Sequence, residues 1–349
     1  MNAFKSLRTA ALIGAGLAFG ACAQANQKIC VYDLLGNSGD IYDQAKDYAL
    51  EMQKHGVQMD LKAYTDERVA TEDFRTGQCD GVIAMGFRTR QFNAVSASID
   101  TLGSTTILRN GKIDMDASYE VVRRAIQTFT RPEAAKLMVE GKYEIAGILP
   151  MGAAYPIVND RRINSVEALA GKKIAAFDYD KAQAVMIQKI GAQPVSADIS
   201  NFSTKFNNGS VDFVAAPALA YKPLELHKGV GKKGAVVRFP ILILTAQMAI
   251  NQSKFPAGFG QKSREYWFAQ FDRAKKFIDT AEASIPGETW MDLSAQDGNK
   301  YTLMLRESRV DIAKQGLYNK TGLKVLKRVR CSINAADSEC ASKSEEEWN

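Results

Sequence analysis

Two arginines stand close together in the segment FRTRQF, directly after a short apolar stretch. Arg88 and Arg90 follow residues 79–86, whose sequence CDGVIAMG is typical of a buried strand. A guanidinium carries several N–H donors in one plane and can bind a carboxylate through two of them. We therefore expect the pair to bind an anionic group of a ligand. The alternative is that both are solvated loop residues.

A second group of polar residues follows the first apolar stretch, residues 29–35. The loop GNSG over residues 36–39 leads into a helix, and free backbone amides at a helix start suit an anion. Asn37 and Ser38 are therefore candidate ligand contacts. Asp33 lies near the end of that apolar stretch, and its carboxylate either caps the helix or accepts a hydrogen bond from a ligand.

The elements that position these residues follow a β-α-β-α-β order. Strands are predicted over residues 29–35, 57–64 and 79–86, and helices over residues 38–54 and 67–76. That spacing is typical of a parallel sheet with right-handed crossovers. Ligands of such sheets bind beyond the carboxyl ends of the strands, which is where both polar groups fall.

The same order recurs in residues 163–217. Short strands are predicted over residues 173–177 and 211–215, with an extended piece between them. The first of the two intervening helices is capped by Asp178 or Asp180. Two units of this kind in one chain predict a two-lobed α/β architecture.

The strings INSVEALAGKKIAAF, GAQPV and NGSVD, all within residues 163–217, resemble the second lobe of extracytoplasmic solute-binding proteins of the TRAP-transporter type. The resemblance is strongest there and continues over most of the chain. It implies the type II periplasmic binding protein fold, an α/β fold with crossing strands and a long bracing helix. It also implies a non-enzymatic function, in which a small molecule is captured between two lobes and delivered to inner-membrane transporter subunits.

The chain departs from that family where a ligand would be held. Family members clamp a ligand carboxylate with an arginine where this chain has Ala175, and with a second arginine where it has Tyr155. A family asparagine falls on Ala216. Neither alanine nor tyrosine can make a bidentate pair with a carboxylate. The resemblance therefore predicts the fold but not the usual class of ligand.

The candidate ligand-binding set combines strand ends of both lobes with aromatic residues. It consists of Asp33, Asn37, Ser38, Arg88, Arg90, Tyr155, Phe177, Asp178, Tyr179, Pro217, Tyr221 and Gln247. Its aromatic walls, together with Asp33 or Asp178, would suit a cationic or aromatic solute. The alternative for each tyrosine is packing between the lobes.

The first 25 residues predict a secretory signal peptide and therefore a periplasmic protein. Lys5 and Arg8 form its basic start, and the uncharged, mostly apolar stretch over residues 9–23 is shorter than the roughly 20 residues of a transmembrane helix. Cleavage is expected after Ala23 or Ala25, at small residues. The alternative is a lipoprotein anchored through Cys22.

Export makes disulfides the expected state of the four cysteines that follow the signal peptide. Cys331 and Cys340 bracket a polar loop and should pair. Cys30 and Cys79 open two strands that are neighbours in a 2-1-3 strand order, so they are the second expected pair. No cysteines have C-x-x-C spacing, which argues against a metal site or a redox enzyme.

The predicted domain organisation has four parts. Residues 1–25 are the signal peptide, residues 26–146 with 243–275 the N-terminal lobe, residues 147–242 with 276–330 the C-terminal lobe, and residues 331–349 a disulfide-closed polar tail. Strands over residues 143–149 and 234–250 are expected to cross between the lobes, and one helix over residues 261–283 to brace both. The basic segment 324–330 is expected to be a solvated face, and the end of the tail, SKSEEEWN over residues 342–349, to be mobile.

Charge and motifs argue against several classes of protein. The formal net charge is +6, and subtracting the charges of Lys5 and Arg8 leaves +4, too little to indicate a nucleic-acid partner. His55 and His227 stand beside no recognisable nucleophile motif, and no P-loop or dinucleotide fingerprint occurs. We therefore expect no catalysis, no cofactor and no metal, and a monomeric protein.

A second hypothesis is an envelope accessory or interaction protein that reuses the binding-protein fold without a transported solute. The chain has a likeness to AdeT-type proteins, which carry an efflux-related label. The loss of the family's ligand anchors favours this hypothesis, and a lipid anchor at Cys22 would favour it too. An exported enzyme is a third hypothesis, for which no catalytic constellation is visible.

Overall fold

The structure is a computed structural model that describes residues 26–348. The predicted signal peptide, and Cys22 with it, lies outside the described residues. Strands alternate with helices along most of the chain, and the apolar positions of both merge into one buried core.

The strands form one large sheet and one small hairpin. They are β1 (Gln27–Tyr32), β2 (Met59–Tyr64), β3 (Gly81–Met85), β4 (Ile107–Arg109), β5 (Lys112–Asp114), β6 (Val139–Glu140), β7 (Tyr143–Val158), β8 (Lys173–Phe177), β9 (Gln193–Ala197), β10 (Phe213–Ala216), β11 (Ala235–Val237), β12 (Leu242–Asn251) and β13 (Trp290–Met291).

The helices cover the faces of the large sheet. They are α1 (Asp40–Gln53), α2 (Glu67–Arg75), α3 (Gly86–Thr89), α4 (Met115–Thr130), α5 (Lys181–Lys189), α6 (Phe202–Asn207), α7 (Ala218–Tyr221), α8 (His227–Val230), α9 (Phe259–Ala269), α10 (Phe271–Ala283), α11 (Ala295–Lys314), α12 (Lys320–Ile333) and α13 (Ser338–Ala341).

The N-terminal lobe has the predicted strand order. β2, β1 and β3 pair in parallel in that sequence, and β12 pairs with β3 in the antiparallel sense. This order brings Cys30 beside Cys79, and the two form a disulfide. The second expected disulfide, between Cys331 of α12 and Cys340 of α13, is also present.

The C-terminal lobe repeats the parallel arrangement with β9, β8 and β10. Its link to the first lobe is β7, a strand of 16 residues. Most of β7 pairs with β12, and its last residues, 155–158, pair with β10. One continuous sheet of 11 strands therefore runs through both lobes, with β7 and β12 at its centre.

The apolar segment 234–250 is not one crossing strand, as the sequence predicted, but two strands. β11 pairs with β13 and β7, whereas β12 pairs with β3 and β7. Pro240 lies in the gap between β11 and β12. Because proline has no amide proton to donate to a ladder, it ends the first pairing and lets the chain change direction.

The predicted single helix over residues 261–283 is also divided. α9 ends at Ala269 and α10 begins at Phe271, with Gln270 forming a tight turn to the carbonyl of Trp267. Trp267 lies directly on Gly147 of β7, where any side chain would overlap the indole ring. The glycine therefore lets α9 pack closely on the central strands.

The C-terminal region corrects two expectations. The basic segment 324–330 lies within α12 and buries Leu326, Lys327 and Arg330 rather than forming a solvated face. The tail over residues 342–348 is packed rather than fully solvated, because Glu345 is buried and pairs with Arg330, as does buried Glu339 just before it. Glu339 and Glu345 follow Arg330 by 9 and 15 residues in the chain. The composition of either segment alone therefore does not show that these opposite charges pair in the folded protein.

Candidate functional site

A cleft lies where the carboxyl ends of the parallel strands of the two lobes face each other. It contains about 960 Å³ of space between atoms, including its open mouth. Its walls come from the ends of β1, β3, β8 and β10 and from the central strands β7 and β12. Among the described residues that line it, the polar ones are Tyr32, Asp180, Gln183 and Tyr318, and Asp180 is the only charged one. The cleft is therefore apolar.

Aromatic rings from both lobes meet at this cleft. Phe87 of the N-terminal lobe and Phe177 of the C-terminal lobe pack edge to face, with ring centroids 6.4 Å apart. Phe177 stacks on Tyr179 at 5.4 Å and contacts Phe202 edge to face at 5.8 Å. Such pairs are worth about 0.5–1.5 kcal/mol each beyond the area they bury. Of the three, the Phe87–Phe177 pair joins the two lobes, and the other two lie within the C-terminal lobe.

Arg88 contacts the opposite lobe through Tyr179. Its guanidinium carbon lies 3.3 Å from the centroid of the Tyr179 ring, and its Nε lies 3.8 Å from Oε2 of Glu67. Glu67 is fully buried and accepts a hydrogen bond of 2.6 Å from the amide of Met85. Burial raises the pKa of Glu67 to about 7, against the opposing effects of the Met85 amide and Arg88. Arg88 is thus held between a carboxylate of its own lobe and an aromatic face of the other.

Arg90 forms an ion pair across the cleft. Its Nη1 donates to Oδ1 of Asp180 at 3.2 Å, and its Nη2 donates to the carbonyl of Asp100 at 3.4 Å. Its guanidinium also lies 5.1 Å from the Tyr318 ring centroid. Asp180 caps α5 at the same time, accepting a hydrogen bond from the amide of Ala182. Both arginines that we expected to bind an anion therefore have protein partners.

Asp33 occupies the helix start that we expected to bind an anion. Its carboxylate accepts hydrogen bonds from the amides of Leu35 (2.8 Å), Ile41 (2.8 Å) and Tyr42 (3.2 Å). A side chain at Gly39 would overlap this carboxylate, so glycine is needed for Asp33 to reach the amides. The first turn of α1 is thus capped by the chain itself.

Asn37 and Ser38, the other two candidates at this helix start, are exposed. The Ser38 hydroxyl donates to the Asn37 side chain at 3.3 Å. Neither residue lines the cleft, because the loop that carries them turns towards the surface.

Gln247 lies behind the cleft rather than in it. It is fully buried, and its Oε1 accepts hydrogen bonds from Thr89 (3.1 Å) and Ser96 (2.8 Å). Its Nε2 donates to the Thr245 hydroxyl at 3.0 Å. The side chain joins β12 to the segments that follow β3 and therefore supports the N-terminal wall from behind.

The remaining candidates divide between the cleft wall and other places. Phe177 and Pro217 line the cleft. Tyr155 points its hydroxyl away, donating to Glu282 at 2.9 Å. Tyr221 is buried and Asp178 is exposed, and neither lines the cleft. The structure thus brings Phe177 and Pro217 together with the bordering Arg88, Arg90 and Tyr179.

Sequence reasoning missed Tyr32, Tyr318 and the cleft position of Asp180. Tyr32 ends the first strand and stands next to Asp33, so the rule that ligands bind beyond strand ends could have found it. Asp180 was recognised only as a helix cap, a role it combines with its ion pair. Tyr318 comes from the loop after α11, and no local signal connects that loop with the cleft.

Two further findings concern the described residues 26–348. No group of three or more His, Cys, Asp or Glu side chains there is placed to hold a metal ion. Within the same residues, no helix combines the length and the apolar character that crossing a membrane requires.

The fold is that of two-lobed TRAP periplasmic solute-binding proteins. The structure superposes on such a protein from Ralstonia eutropha H16 with a TM-score of 0.67 at 12% identity, covering 89% of this chain and 99% of the other. For the ectoine-binding protein of the TeaABC TRAP transporter of Halomonas elongata, the TM-score is 0.66 at 16% identity, with 89% and 100% covered. The predicted two-lobed α/β fold is confirmed.

Within this class, the chain belongs to the family "Solute-binding protein AdeT 1/2", whose model matches residues 53–345. It is 45% identical over 311 residues to the "Probable solute-binding protein AdeT1" of Acinetobacter baumannii, covering 89% of this chain and 99% of the relative. It is 28% identical over 231 residues to AdeT2 of the same organism, covering 65% of this chain and 96% of the relative. The predicted relationship to TRAP-type proteins and the likeness to AdeT-type proteins are both confirmed.

Proposed function

We propose that this protein is exported to the periplasm, captures a small molecule in the cleft between its lobes and presents the closed form to membrane transporter subunits. The observation that carries the proposal is the pair of contacts that join the lobes across the cleft. These are the ion pair of Arg90 with Asp180 and the stacking of Arg88 on Tyr179.

Contacts of this kind form only when the lobes approach each other. They border an apolar cavity, so closure removes a bound solute from water while the two arginines keep their partners. Hinge closure of two domains around a ligand is an established way to couple binding to recognition by a partner. β7, the strand shared by both lobes, is the natural place for the hinge.

The family assignment supports this proposal. The relative AdeT1 is named a probable solute-binding protein. TRAP proteins with this fold have been solved with β-D-glucuronate or (S)-2-acetolactate bound. The signal-like residues 1–25 are consistent with export.

Native mass spectrometry tests the proposal. The protein is purified from the exporting host without refolding, beside two tryptophan variants. Ala175→Trp fills the cleft, because Ala175 lines it. Ala170→Trp is the matched control, since Ala170 is exposed in the same lobe, outside the cleft.

A small molecule that is released from the wild type and from Ala170→Trp, but not from Ala175→Trp, is the expected result. An apo mass for all three proteins, with no thermal shift across organic acids, amino acids, amines, alcohols and sugars, would contradict the proposal. That outcome would favour an envelope accessory protein that uses the fold without a solute.

A further inference from the structure

We propose that the molecule held in the cleft is uncharged and largely apolar and carries a hydrogen-bond donor, such as a hydroxyl or an amide N–H. The inference rests on the proposed function and names the class of solute for the same site. Three properties of the cleft lead to it: its charge balance, two unpartnered polar atoms and its apolar walls.

The cleft offers no uncompensated charge. Asp180 is the only charged residue among the described residues of the lining, and Arg90 pairs with it. Arg88, at the border, stacks on Tyr179 and is not among the lining residues. Because burying a charge without a partner costs several kcal/mol, a carboxylate would bind poorly here. An ammonium group at Asp180 would lie next to the guanidinium of Arg90, so a cation is disfavoured as well.

Two polar atoms of the lining lack hydrogen-bond partners among the described residues. They are Oδ2 of Asp180 and the hydroxyl of Tyr32, on side chains that are 3% and 2% exposed. A buried polar atom without a partner costs about 1–3 kcal/mol. Both atoms belong to residues that line the cleft, so a molecule held there is placed to supply the missing partner.

The two atoms define what the ligand must present. Oδ2 of Asp180 accepts hydrogen bonds, so the ligand needs a donor. Burial raises the pKa of Tyr32, and the negative charges of Glu67 and Asp33 raise it further, so its hydroxyl keeps its proton. That hydroxyl can accept from a donor of the ligand or donate to one of its oxygens.

The rest of the wall suits an apolar body. Phe87, Phe177 and Phe202 contribute aromatic surface, and Met85, Met151 and Met186 contribute flexible side chains that adapt to the shape of a ligand. Apolar clefts with a few placed polar groups are the common form of a small-molecule site.

Four naphthalene probes with one skeleton test the class of ligand. They are 2-(2-naphthyl)ethanol, its methyl ether, 2-naphthylacetate and 2-(2-naphthyl)ethylamine, titrated at pH 7 into the full mature protein by isothermal titration calorimetry. We expect the alcohol to bind at least tenfold more tightly than the carboxylate and the amine. The ether, which lacks the donor, should bind several-fold more weakly than the alcohol.

A substitution at Asp180 should change this preference. Asp180→Asn keeps the helix cap, because asparagine is also a good N-cap, but it removes the carboxylate that pairs with Arg90. The carboxylate probe should therefore gain at least tenfold in affinity. Asp292→Asn is the matched control, since Asp292 pairs with Arg238 at 3.4 Å on the surface, outside the cleft. It should leave the ranking of the probes unchanged.

Several results would overturn the inference. They are tighter binding of the carboxylate or the amine than of the alcohol by the wild type, equal affinities of the alcohol and the ether, and no binding of any probe at millimolar concentration. An unchanged preference in Asp180→Asn would also overturn it. Native mass spectrometry distinguishes a wrong ligand class from a wrong proposed function. If the protein carries a charged molecule from the host, the inferred ligand class is wrong, but the proposal that the cleft captures a solute is supported.

Discussion

Arg90 and Asp180 form an ion pair between the two lobes, with 3.2 Å between Nη1 and Oδ1. The two side chains are 16% and 3% exposed, whereas those of Arg238 and Asp292, a surface pair, are 51% and 59% exposed. Ion pairs that are removed from water lose more when one partner is deleted, because the other charge remains buried. The cleft pair therefore contributes to the closed arrangement in a way that the surface pair does not.

Replacing Arg90 should weaken this arrangement. In Arg90→Ala, Asp180 keeps its burial and its cap but loses its cation, so the free energy of unfolding should fall by about 1–3 kcal/mol. Arg238→Ala should change it by less than about 0.5 kcal/mol, as is usual for exposed pairs. Urea unfolding measures both. Equal effects of the two substitutions would show that the cleft pair is energetically an ordinary surface pair.

Asp100 should make the protein less stable as the pH rises from about 4 to 7. Burial raises its pKa to about 7, although its hydrogen bonds from the Thr245 hydroxyl and amide, and Arg90, oppose the shift. In this pH range the unfolded chain has already lost the proton that the folded state retains, so stability falls, by roughly 3 kcal/mol for a shift of this size.

Asp100→Asn should remove that share of the pH dependence, while Glu67 keeps its own. The measurement is the free energy of urea unfolding at intervals between pH 4 and pH 8. Asp116→Asn, at an exposed position of α4, is the control and should follow the wild type. If the free energy of unfolding of Asp100→Asn falls with pH as steeply as that of the wild type, Asp100 is not the source of this pH dependence.

The C-terminal segment should depend on a buried cluster of charges. Glu345 accepts from Arg309 at 2.7 Å and from Arg330 at 2.6 Å. Burial opposes its charge, but the two guanidinium groups lower its pKa below the usual value. Glu345→Gln keeps the shape and removes the charge, so it should destabilise the protein by about 3 kcal/mol.

The exposed Glu347 supplies a control for this substitution. It pairs only with exposed Lys343 among the described residues, and Glu347→Gln should change stability by less than about 0.5 kcal/mol. Thermal unfolding followed by circular dichroism compares the two variants. If both melt with the wild type, the C-terminal segment does not contribute to stability as the ion pairs indicate.

The two disulfides should differ in their contributions. The Cys30–Cys79 bond closes a loop of 49 residues and the Cys331–Cys340 bond a loop of 9. Loop-closure entropy predicts about 4 kcal/mol for the first and about 3 kcal/mol for the second. Paired alanine substitutions at each bond, followed by urea unfolding, test the order. A larger loss at residues 331 and 340 would contradict it.

Local patterns predicted much of the fold. The apolar stretches and turn residues predicted β1, β3, β8 and β10, together with the 2-1-3 strand order of the N-terminal lobe. They failed where the outcome depended on distant partners: Arg330 was assigned to a solvated face because its own segment is basic, although Glu339 and Glu345 pair with it. Only folding buries the three together.

The candidate site shows the same limit. The strand-end rule placed Arg88 and Arg90 near the cleft, but it could not foresee that each would already have a protein partner. Asp180 is 90 residues from Arg90 along the chain, and nothing in either segment indicates the other. Asp33 was open to two interpretations until the distances to three amides decided for the cap.

The central claim is that the two lobes close on a solute. Double electron–electron resonance between spin labels at Glu72→Cys and Ser200→Cys, exposed positions of opposite lobes, measures it directly. The protein is compared as purified from the exporting host, after its small molecules are stripped, and after they are added back. The account predicts a short distance in the first sample, an added longer distance in the second, and return to the short distance in the third. A single unchanged distance in all three samples would contradict it.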